Sequence, residues 1–194
     1  VGKRTGVLVT PTQPYGMAEH HLGFAGTMSL RPETLLELVH DLLISLAMHG
    51  FEKIFIVNGH GGNIATLKSS FPQVYQTIQG LNLSVSNSFR CKVASWFMVQ
   101  SVYQEAKELY GDKEGQHATP SEIALTLHLH PSLQMKQRKL PQSPPAGPIY
   151  DYSDFRKRYP DGRMGSDPFL ANARDGEKFL DKAASVLSKN FGLS

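Results

Sequence analysis

The chain has 194 residues, a formal net charge of +3 and a hydrophobic fraction of 40%. This length can enclose one sizeable core, and a charged fraction of 19% is too low for a disordered chain. Lysine and arginine are scattered, so we expect a solvated basic surface and no nucleic-acid partner. No apolar run reaches the roughly 18 residues of a membrane span, and the single cysteine, Cys91, is typical of a reducing compartment. We therefore expect one cytoplasmic domain over 1–194.

Strand and helix patterns alternate along the chain. In order, we predict a strand at 6–10, a glycine-rich loop at 15–27, a helix from Ser29 or Arg31 to His49, a strand at 54–57, a helix at 63–79, strands at 83–85 and 92–97, helices at 102–110 and 121–129, an extended proline-rich connection at 141–148, and a helix at 175–190. The alternation is typical of crossover units in a doubly wound sheet. The predicted fold is α/β, with three layers, α/β/α, around a mostly parallel central sheet.

The pattern at 121–129 fits either a helix or a strand. We favour a helix, because Thr119-Pro120-Ser121-Glu122 has the residue types of a helix opening.

An apolar segment ends in a histidine that is surrounded by glycines. Four β-branched or aromatic residues at 54–57 predict a strand buried on both faces, and Asn-Gly-His-Gly-Gly-Asn follows at 58–63. Ligands of parallel sheets bind beyond the carboxyl ends of the strands, where His60 is expected. Glycines allow a metal or substrate to approach the backbone, and Asn63 is expected to cap the next helix. The alternative is a glycine-rich turn with an incidental histidine.

A second polar cluster precedes the helix at 121–129. His117 and Glu122 lie five residues apart at the predicted N-terminus, where the helix dipole favours a carboxylate. This arrangement suits a metal ligand beside an acid or base. The alternative is that Glu122 only complements the dipole and His117 is a loop residue.

The other histidines are weaker candidates for metal ligands. His20 and His21 could converge on an ion if their loop is irregular, whereas neighbours in an extended chain point apart and form a surface pair. The remaining four are assigned to surfaces or to helix C-termini, namely His40, His49, His128 and His130.

Together these motifs resemble the creatininase (creatinine amidohydrolase) family over nearly the whole chain. The matching segments are Asn-Gly-His-Gly-Gly-Asn at 58–63, Phe-Ala-Gly-Thr-Met-Ser-Leu at 24–30, the cluster at 117–122 and Gly-Ser-Asp-Pro at 165–168. The resemblance implies an α/β amidohydrolase with two divalent metal ions, zinc before manganese or iron, in a homo-oligomer, as a hexamer. It also implies a small-molecule amide as the partner, and neither nucleic acid nor membrane.

The resemblance also implies roles for individual residues. His60 and Glu122 match metal ligands, and His117 matches the catalytic histidine. The expected substrate-binding residues are Gly61, Gly62, Asn63 and Glu114. The mechanism implied is metal-assisted hydrolysis of a C–N bond, with His117 passing a proton to the leaving nitrogen.

The chain departs from the family pattern in four places. Family members carry a Glu-x-His motif and an aspartate upstream of the position that matches Val1, so we expect a first strand and a ligand loop to be missing here. Creatinine-hydrolysing members have Tyr-Glu in place of Gly61-Gly62 and Trp-Asp in place of Lys113-Glu114, so creatinine is not the expected substrate. Thr119-Pro120 replaces Gly-Glu of many relatives.

Two further functions are compatible with the sequence. One is a non-catalytic or degenerate family member that binds a small anion at the glycine-rich turn and the following helix N-terminus. The chain lacks a Walker lysine after the glycines, which argues against a nucleotide as that anion. The other is a structural role in an oligomer, which leaves the glycine-flanked His60 unexplained.

Overall fold

The computed structural model describes residues 1–133, 135 and 139–192. The helices are α1 (Gly2–Thr5), α2 (Pro32–Met48), α3 (Asn63–Gly80), α4 (Gln100–Tyr110), α5 (Pro120–Leu129), α6 (Tyr152–Arg158) and α7 (Ala173–Gly192), and the strands are β1 (Lys53–Asn58) and β2 (Arg90–Ser95). Short 3₁₀ turns lie at Glu19–His21, Trp96–Met98, Gly111–Glu114 and Pro168–Leu170. The chain forms two compact units. The N-terminal unit holds Gly2–Glu19, Gly26–Trp96 and the chain end from Ser188, and the C-terminal unit holds His20–Ala25 and Phe97–Leu187.

The N-terminal unit is built on a parallel strand pair. Strands β1 and β2 run side by side from Lys53 opposite Arg90 to Asn58 opposite Ser95. Helix α3 connects the two strands, because parallel neighbours need a crossover. The pairing and the crossover confirm the predicted α/β class with a parallel sheet. Within the described residues the sheet has two strands.

Helix α2 follows from its sequence pattern. Pro32 occupies the first turn, where the missing N–H costs no hydrogen bond. The residues that α2 buries recur at every fourth position, which places them on one face: Leu35, Val39, Leu43 and Ala47. Gly50, with φ of 84°, follows the helix in a conformation that favours glycine. These residues form a core with α3, to which Val74 and Ile78 contribute.

The C-terminal unit packs helices around aromatic residues. Phe155 and Tyr159 are almost fully buried with Met164, and Phe24 covers them. The Tyr110 hydroxyl donates to Asp175 at 3.1 Å. Helices α5 and α7 approach so closely that a Cβ on Gly176 would lie 2.0 Å from the carbonyl oxygen of Ala124. Glycine is therefore required at position 176.

Several expectations from the sequence are wrong. Residues 6–10 form no strand, and Leu8 and Val9 are exposed. Residues 83–85 form no strand, and 84 and 85 lie in turns. Strand β1 is not buried on both faces, because Val57 is 49% exposed. Its run of apolar residues therefore predicted more burial than the strand has. Helix α6 was not predicted, although Asp151 caps it through the N–H groups of Ser153 and Asp154.

Other expectations hold. The ambiguous segment at 121–129 is helical as α5, which confirms the helix opening at Thr119. The proline-rich connection at 141–148 has no regular secondary structure. The remaining predicted helices exist, and the strand predicted at 92–97 exists as β2. Their ends differ from the prediction by a few residues, as is usual for helix and strand termini. A single domain over 1–194 stays a prediction.

Candidate active site

In the N-terminal unit, Asn58 holds the turn that carries His60. Asn58 is the last residue of β1 and is 3% exposed. Its Nδ2 donates to the His60 carbonyl at 2.7 Å and to Ser95 Oγ at 2.9 Å. Its Oδ1 accepts from the His60 N–H at 3.3 Å. Both backbone polar groups of His60 are therefore bound by one buried side chain.

Asn63 contributes to the same network but does not cap α3. The N-cap residue is Gly62, without a side-chain cap. Asn63 instead accepts from the Met17 N–H at 2.9 Å and donates to Asn58 Oδ1 at 3.2 Å. Gly16 passes so close to this amide that a Cβ there would lie 2.4 Å from Asn63 Oδ1. The predicted cap is wrong, because the Asn63 side chain ties the turn to residues 16 and 17 instead.

The two glycines after His60 differ in the space around them. A Cβ on Gly62 would lie 2.7 Å from both His60 Nε2 and the Met17 carbonyl oxygen, whereas nothing lies within 4 Å of the Cβ position of Gly61. Among the described residues, neither of their N–H groups donates a hydrogen bond. Free N–H groups at a helix N-terminus are suited to bind an oxyanion.

In the C-terminal unit, hydrogen bonds from a distant segment hold the backbone of His117. Its carbonyl accepts from Ser166 Oγ at 2.5 Å and from the Met164 N–H at 3.4 Å. Ala118 follows with φ of 53°, a left-handed conformation that is rare outside glycine and asparagine. Strained backbone of this kind clusters at functional sites. The left-handed residue and the short hydrogen bond fix the direction in which the His117 side chain leaves the backbone.

The ring of His117 lies in a group of histidines. It stacks on His21 with centroids 4.2 Å apart, and its edge meets Phe155. The His20 and His21 rings are 4.0 Å apart on the 3₁₀ turn Glu19–His21. The prediction left open whether this pair converges or points apart. The tight turn brings the two rings together.

Glu122 forms a capping box at the start of α5. Thr119 Oγ1 accepts from the Glu122 N–H at 3.2 Å, and Glu122 Oε2 accepts from the Thr119 N–H at 3.2 Å. Substitution of Thr119-Pro120 for Gly-Glu is compatible with this helix start, because threonine caps it and proline occupies the first turn. One carboxylate oxygen of Glu122 is used by the cap.

Glu114 is buried beside the same helix start. It is 7% exposed and accepts from Ser121 Oγ at 2.5 Å and from the Ser121 N–H at 3.4 Å. Burial raises the pKa of Glu114 above its ordinary value, and the hydrogen bonds from Ser121 only partly oppose that rise. Glu114 therefore binds the first turn of α5 directly.

The structure places the predicted residues in two groups. His60, Gly61, Gly62 and Asn63 lie together in the turn between β1 and α3, and Glu114, His117 and Glu122 lie together around the start of α5. Sequence reasoning assigned no role to Asn58, Ser121 or Ser166, although Asn58 and Ser166 belong to the motifs at 58–63 and 165–168. Burial raises the pKa of Cys91 to about 12, which disfavours the reactive thiolate form.

The chain matches a known family along almost its whole length. The family model described as "Creatininase: Creatinine amidohydrolase" matches residues 1–191. The chain is 27% identical to a creatinine amidohydrolase from Pseudomonas putida over 163 residues, which are 78% of this chain and 60% of that relative. It is 27% identical to a mycofactocin precursor peptide peptidase from Mycobacterium ulcerans over 181 residues, 90% of this chain and 62% of that relative. The chain thus spans less than two thirds of both curated relatives.

Solved structures give the same result. A crystal structure of creatinine amidohydrolase has a TM-score of 0.81 and 25% identity, covering 99% of this chain and 77% of that chain. Two further creatininase structures at 25% identity, a mutant described as Zn-Zn type and a form described as Mn, have TM-scores of 0.80 and 0.79 and cover 97% of this chain and 76% of theirs. Among the residues that the structure describes, no helix is long and apolar enough to span a membrane.

Proposed function

This chain belongs to the creatininase family, and we propose that the protein containing it is a metal-dependent amidohydrolase that cleaves a C–N bond of a small cyclic or linear amide other than creatinine. The proposal starts from the family match. The observation that supports it most is that hydrogen bonds to the His117 carbonyl hold the backbone of this residue in place. Creatinine is set aside because Gly61-Gly62 and Lys113-Glu114 replace the Tyr-Glu and Trp-Asp of creatinine-hydrolysing members.

His60 and Glu122 are the proposed metal ligands. An imidazole nitrogen and a carboxylate oxygen suit zinc, manganese or iron, and zinc is the first choice of the three. The donor set fits, because Glu122 uses Oε2 in its capping box and keeps a second oxygen. His20 and His21, whose rings converge, are additional nitrogen donors. A divalent ion supplies a water with its pKa lowered from about 15.7 to about 7 and polarises a carbonyl, and the family resemblance implies two such ions.

His117 is the proposed catalytic acid. Amide cleavage requires a proton on the leaving nitrogen, and a positioned side chain that delivers it contributes about 10² to 10⁴-fold. The hydrogen bond from Ser166 and the left-handed Ala118 hold the backbone of His117, and stacking on His21 holds its ring. This fixed geometry is what proton transfer to one atom requires.

Gly61 and Gly62 are the proposed oxyanion-binding residues. Their N–H groups precede α3 and donate to nothing among the described residues, so they can stabilise a developing negative charge. The side chains of Asn63 and Glu114 are already hydrogen-bonded to Asn58 and Ser121. We therefore propose that these two residues support substrate binding through the turn and the helix that they hold.

A panel of small amides tests the proposal. The protein is loaded with zinc or manganese and assayed for amine release from cyclic and linear amides, with creatinine included. We expect turnover of at least one non-creatinine amide, a loss of about 10² to 10⁴-fold in kcat for His117→Ala, and little change for His130→Ala, whose side chain is exposed. Equal turnover by wild type and His117→Ala would contradict the role of His117.

The alternative function, anion binding without catalysis, is favoured by the same free N–H groups at the start of α3. It predicts that inorganic phosphate binds in calorimetry without any divalent ion and that no amide is hydrolysed. The metal-dependent proposal predicts divalent-ion binding that His60→Ala weakens.

A homo-oligomer, as a hexamer, is proposed on the family resemblance, and sedimentation velocity measures it directly. The cytoplasmic compartment inferred from the single Cys91 stays a prediction.

A further inference from the structure

A polar cavity lies beside the His117 segment in the C-terminal unit. Its volume is about 290 Å³, and its lining includes Lys113, Pro141, Ser143, Arg163, Ser166 and Asp167. Hydrogen bonds join the segments that form its walls. The Gly165 N–H donates to the Pro144 carbonyl at 2.8 Å, and the Asp167 N–H donates to the Lys113 carbonyl at 2.9 Å. The cavity is at the lower end of the size range of small-ligand sites.

A buried guanidinium forms one wall of this cavity. Arg163 is 5% exposed, donates through Nε to Asp161 at 2.9 Å and through Nη2 to the Pro141 carbonyl at 2.7 Å. Burial alone would raise the pKa of Asp161, but hydrogen bonds from Arg163 lower it below its ordinary value. Arg163 Nη1 makes no hydrogen bond within the described residues, so this fixed cation keeps donors for a ligand.

A second lining group also lacks a partner. Ser143 Oγ is buried and makes no hydrogen bond with any described residue, and a buried hydroxyl without a partner is costly. The Lys113 side chain makes no ion pair in the described part of the chain and adds a second positive charge. Among the described lining residues Asp167 is the one acid, and its Oδ1 accepts from the Phe169 N–H. The lining thus includes two cations and one acid, and Arg163 is also paired with Asp161.

We propose that this cavity binds a carboxylate of the substrate, so that the amide cleaved at His117 belongs to a molecule with a carboxylate near the scissile bond. Ser166 connects the two places, because it lines the cavity and donates to the His117 carbonyl. The carboxylate accepts from Arg163 Nη1, from the Ser143 hydroxyl and from the Lys113 ammonium. This assignment rests on the proposed function for its link to catalysis, whereas the binding of the carboxylate does not.

Two ligands of the same size that differ at one terminal group test the site. N-acetylglycine carries a carboxylate, and N-acetylglycinamide replaces it with a neutral amide. Calorimetry with the purified protein is expected to show N-acetylglycine binding about tenfold more tightly, because a hydrogen bond to a charged group exceeds one to a neutral group by about that factor. Equal binding of the two ligands, or binding of neither at concentrations that saturate a weak site, would overturn the proposal.

Substitutions locate the binding. We expect Ser143→Ala to weaken N-acetylglycine binding about fivefold and Lys113→Met about threefold, in line with a neutral hydrogen bond and an exposed ion pair. The matched controls are Ser153→Ala and Lys157→Met, which change exposed residues outside the cavity and should leave the affinity as in wild type. Unchanged affinity in both cavity variants would overturn the proposal.

His60→Ala separates this site from the proposed metal site. Cavity binding predicts that His60→Ala binds N-acetylglycine as wild type does. If His60→Ala loses the binding while Lys113→Met and Ser143→Ala retain it, the carboxylate is bound by metal and the cavity proposal is wrong. A failure of the amide-hydrolysis assay, in contrast, leaves these affinities unaffected.

Discussion

The His60 turn and the His117 segment present a histidine in two different ways. The supports of His60 are local, since Asn58 lies two residues before it and Asn63 lies five residues after Asn58. The main support of His117 comes from Ser166, 49 residues along the chain, and its ring rests on His21, far earlier in the sequence. The hydrogen bonds to the His60 backbone therefore come from its own motif, although Asn58 and Asn63 also bond to Ser95 and Met17. The His117 segment, in contrast, is held mainly by residues distant in the sequence.

This difference implies different responses to substitution. A change within the His60 motif removes hydrogen bonds that this short segment makes to itself and, at Asn58 or Asn63, one to Ser95 or Met17. A change in the His117 segment disturbs a contact between two separate stretches of chain. We expect the second kind to be more sensitive to added volume and the first to lost hydrogen bonds.

The largest effect is expected at Gly115. It has φ of 62°, and a Cβ there would lie 2.4 Å from the Met164 carbonyl oxygen and 2.5 Å from the Ser166 N–H nitrogen. Gly115→Ala is expected to lower the free energy of unfolding by roughly 3 to 4 kcal/mol, from backbone strain and overpacking together. The control is Gly111→Ala, with φ of 54°, ψ of −132° and nothing within 4 Å, which has similar backbone strain without the overpacking and should cost less, about 1 to 3 kcal/mol. Urea unfolding measures both, and equal losses would contradict the close approach at 164–166.

The second largest effect on stability is expected at Asn58, in the hydrogen-bond network of the His60 turn. Asn58→Ala removes a hydrogen-bond partner of both His60 backbone groups, of the Asn63 amide and of Ser95 Oγ, although the His60 carbonyl keeps the Asn63 N–H at 3.2 Å. We expect a loss of about 2 to 3 kcal/mol in the free energy of unfolding, because buried polar groups lose their hydrogen bonds. Asn87→Ala, at an exposed position, should change it by less than about 0.5 kcal/mol. A loss at Asn58 no larger than at Asn87 would mean that the turn needs no such support.

Ser166→Ala removes one hydrogen bond to the His117 carbonyl. We expect a loss of about 1 to 2 kcal/mol in thermal or urea unfolding, because Ser166 is buried and the Met164 N–H remains as a donor. Ser69→Ala removes an exposed hydroxyl that bonds within its own helix and should be nearly neutral. If the two variants are equally stable, Ser166 does not hold the segment.

A stabilising change is expected at Ala118. Ala118→Gly relieves a left-handed conformation that is strained for alanine, and after the added chain entropy of glycine we expect a gain of about 0.5 to 1 kcal/mol. Asn82, with φ of 51°, is the comparison, since asparagine tolerates this region and Asn82→Gly should gain less. A greater gain at Asn82 than at Ala118 in thermal unfolding would argue against strain next to His117.

The smallest effect is on pH dependence. Because burial raises the pKa of Glu114, the folded state binds a proton more tightly than the unfolded chain does. From the ordinary value of 4.5 up to the raised value, the free energy of unfolding should therefore decrease as the pH rises. Glu114→Gln should remove that part of the slope in unfolding experiments at several pH values. A slope that persists in the variant would belong to another group.

The fold class could be predicted because its signals are local. Apolar residues with helical spacing between Leu35 and Leu46 gave α2, and Gly50 followed by an apolar run gave β1. The strand at 6–10 was wrong because a short apolar run carries no information about its partner strand. Helix α6 was missed because seven residues give too few turns for a periodic pattern.

The local structure around the candidate site could be predicted in part for the same reason, whereas the roles assigned to its residues stay predictions. His60 and Glu122 lie in recognisable motifs, and the capping box at Thr119 is readable from four consecutive residues. The hydrogen bond from Ser166 and the stacking of His21 depend on tertiary structure. The role of Asn63 was misread, because a cap and a bond to the Met17 N–H require the same side-chain oxygen and only the fold decides between them.

Metal content tests the central claim most directly, since both groups of residues are assigned to one metal-dependent hydrolysis. The protein, its His60→Ala and His117→Ala variants and the exposed control His49→Ala are each equilibrated with zinc and analysed by mass spectrometry and for amide hydrolysis. We expect His60→Ala to lose bound zinc and activity, His117→Ala to keep zinc but lose activity, and His49→Ala to match wild type. Full zinc content and full activity in His60→Ala would contradict the account.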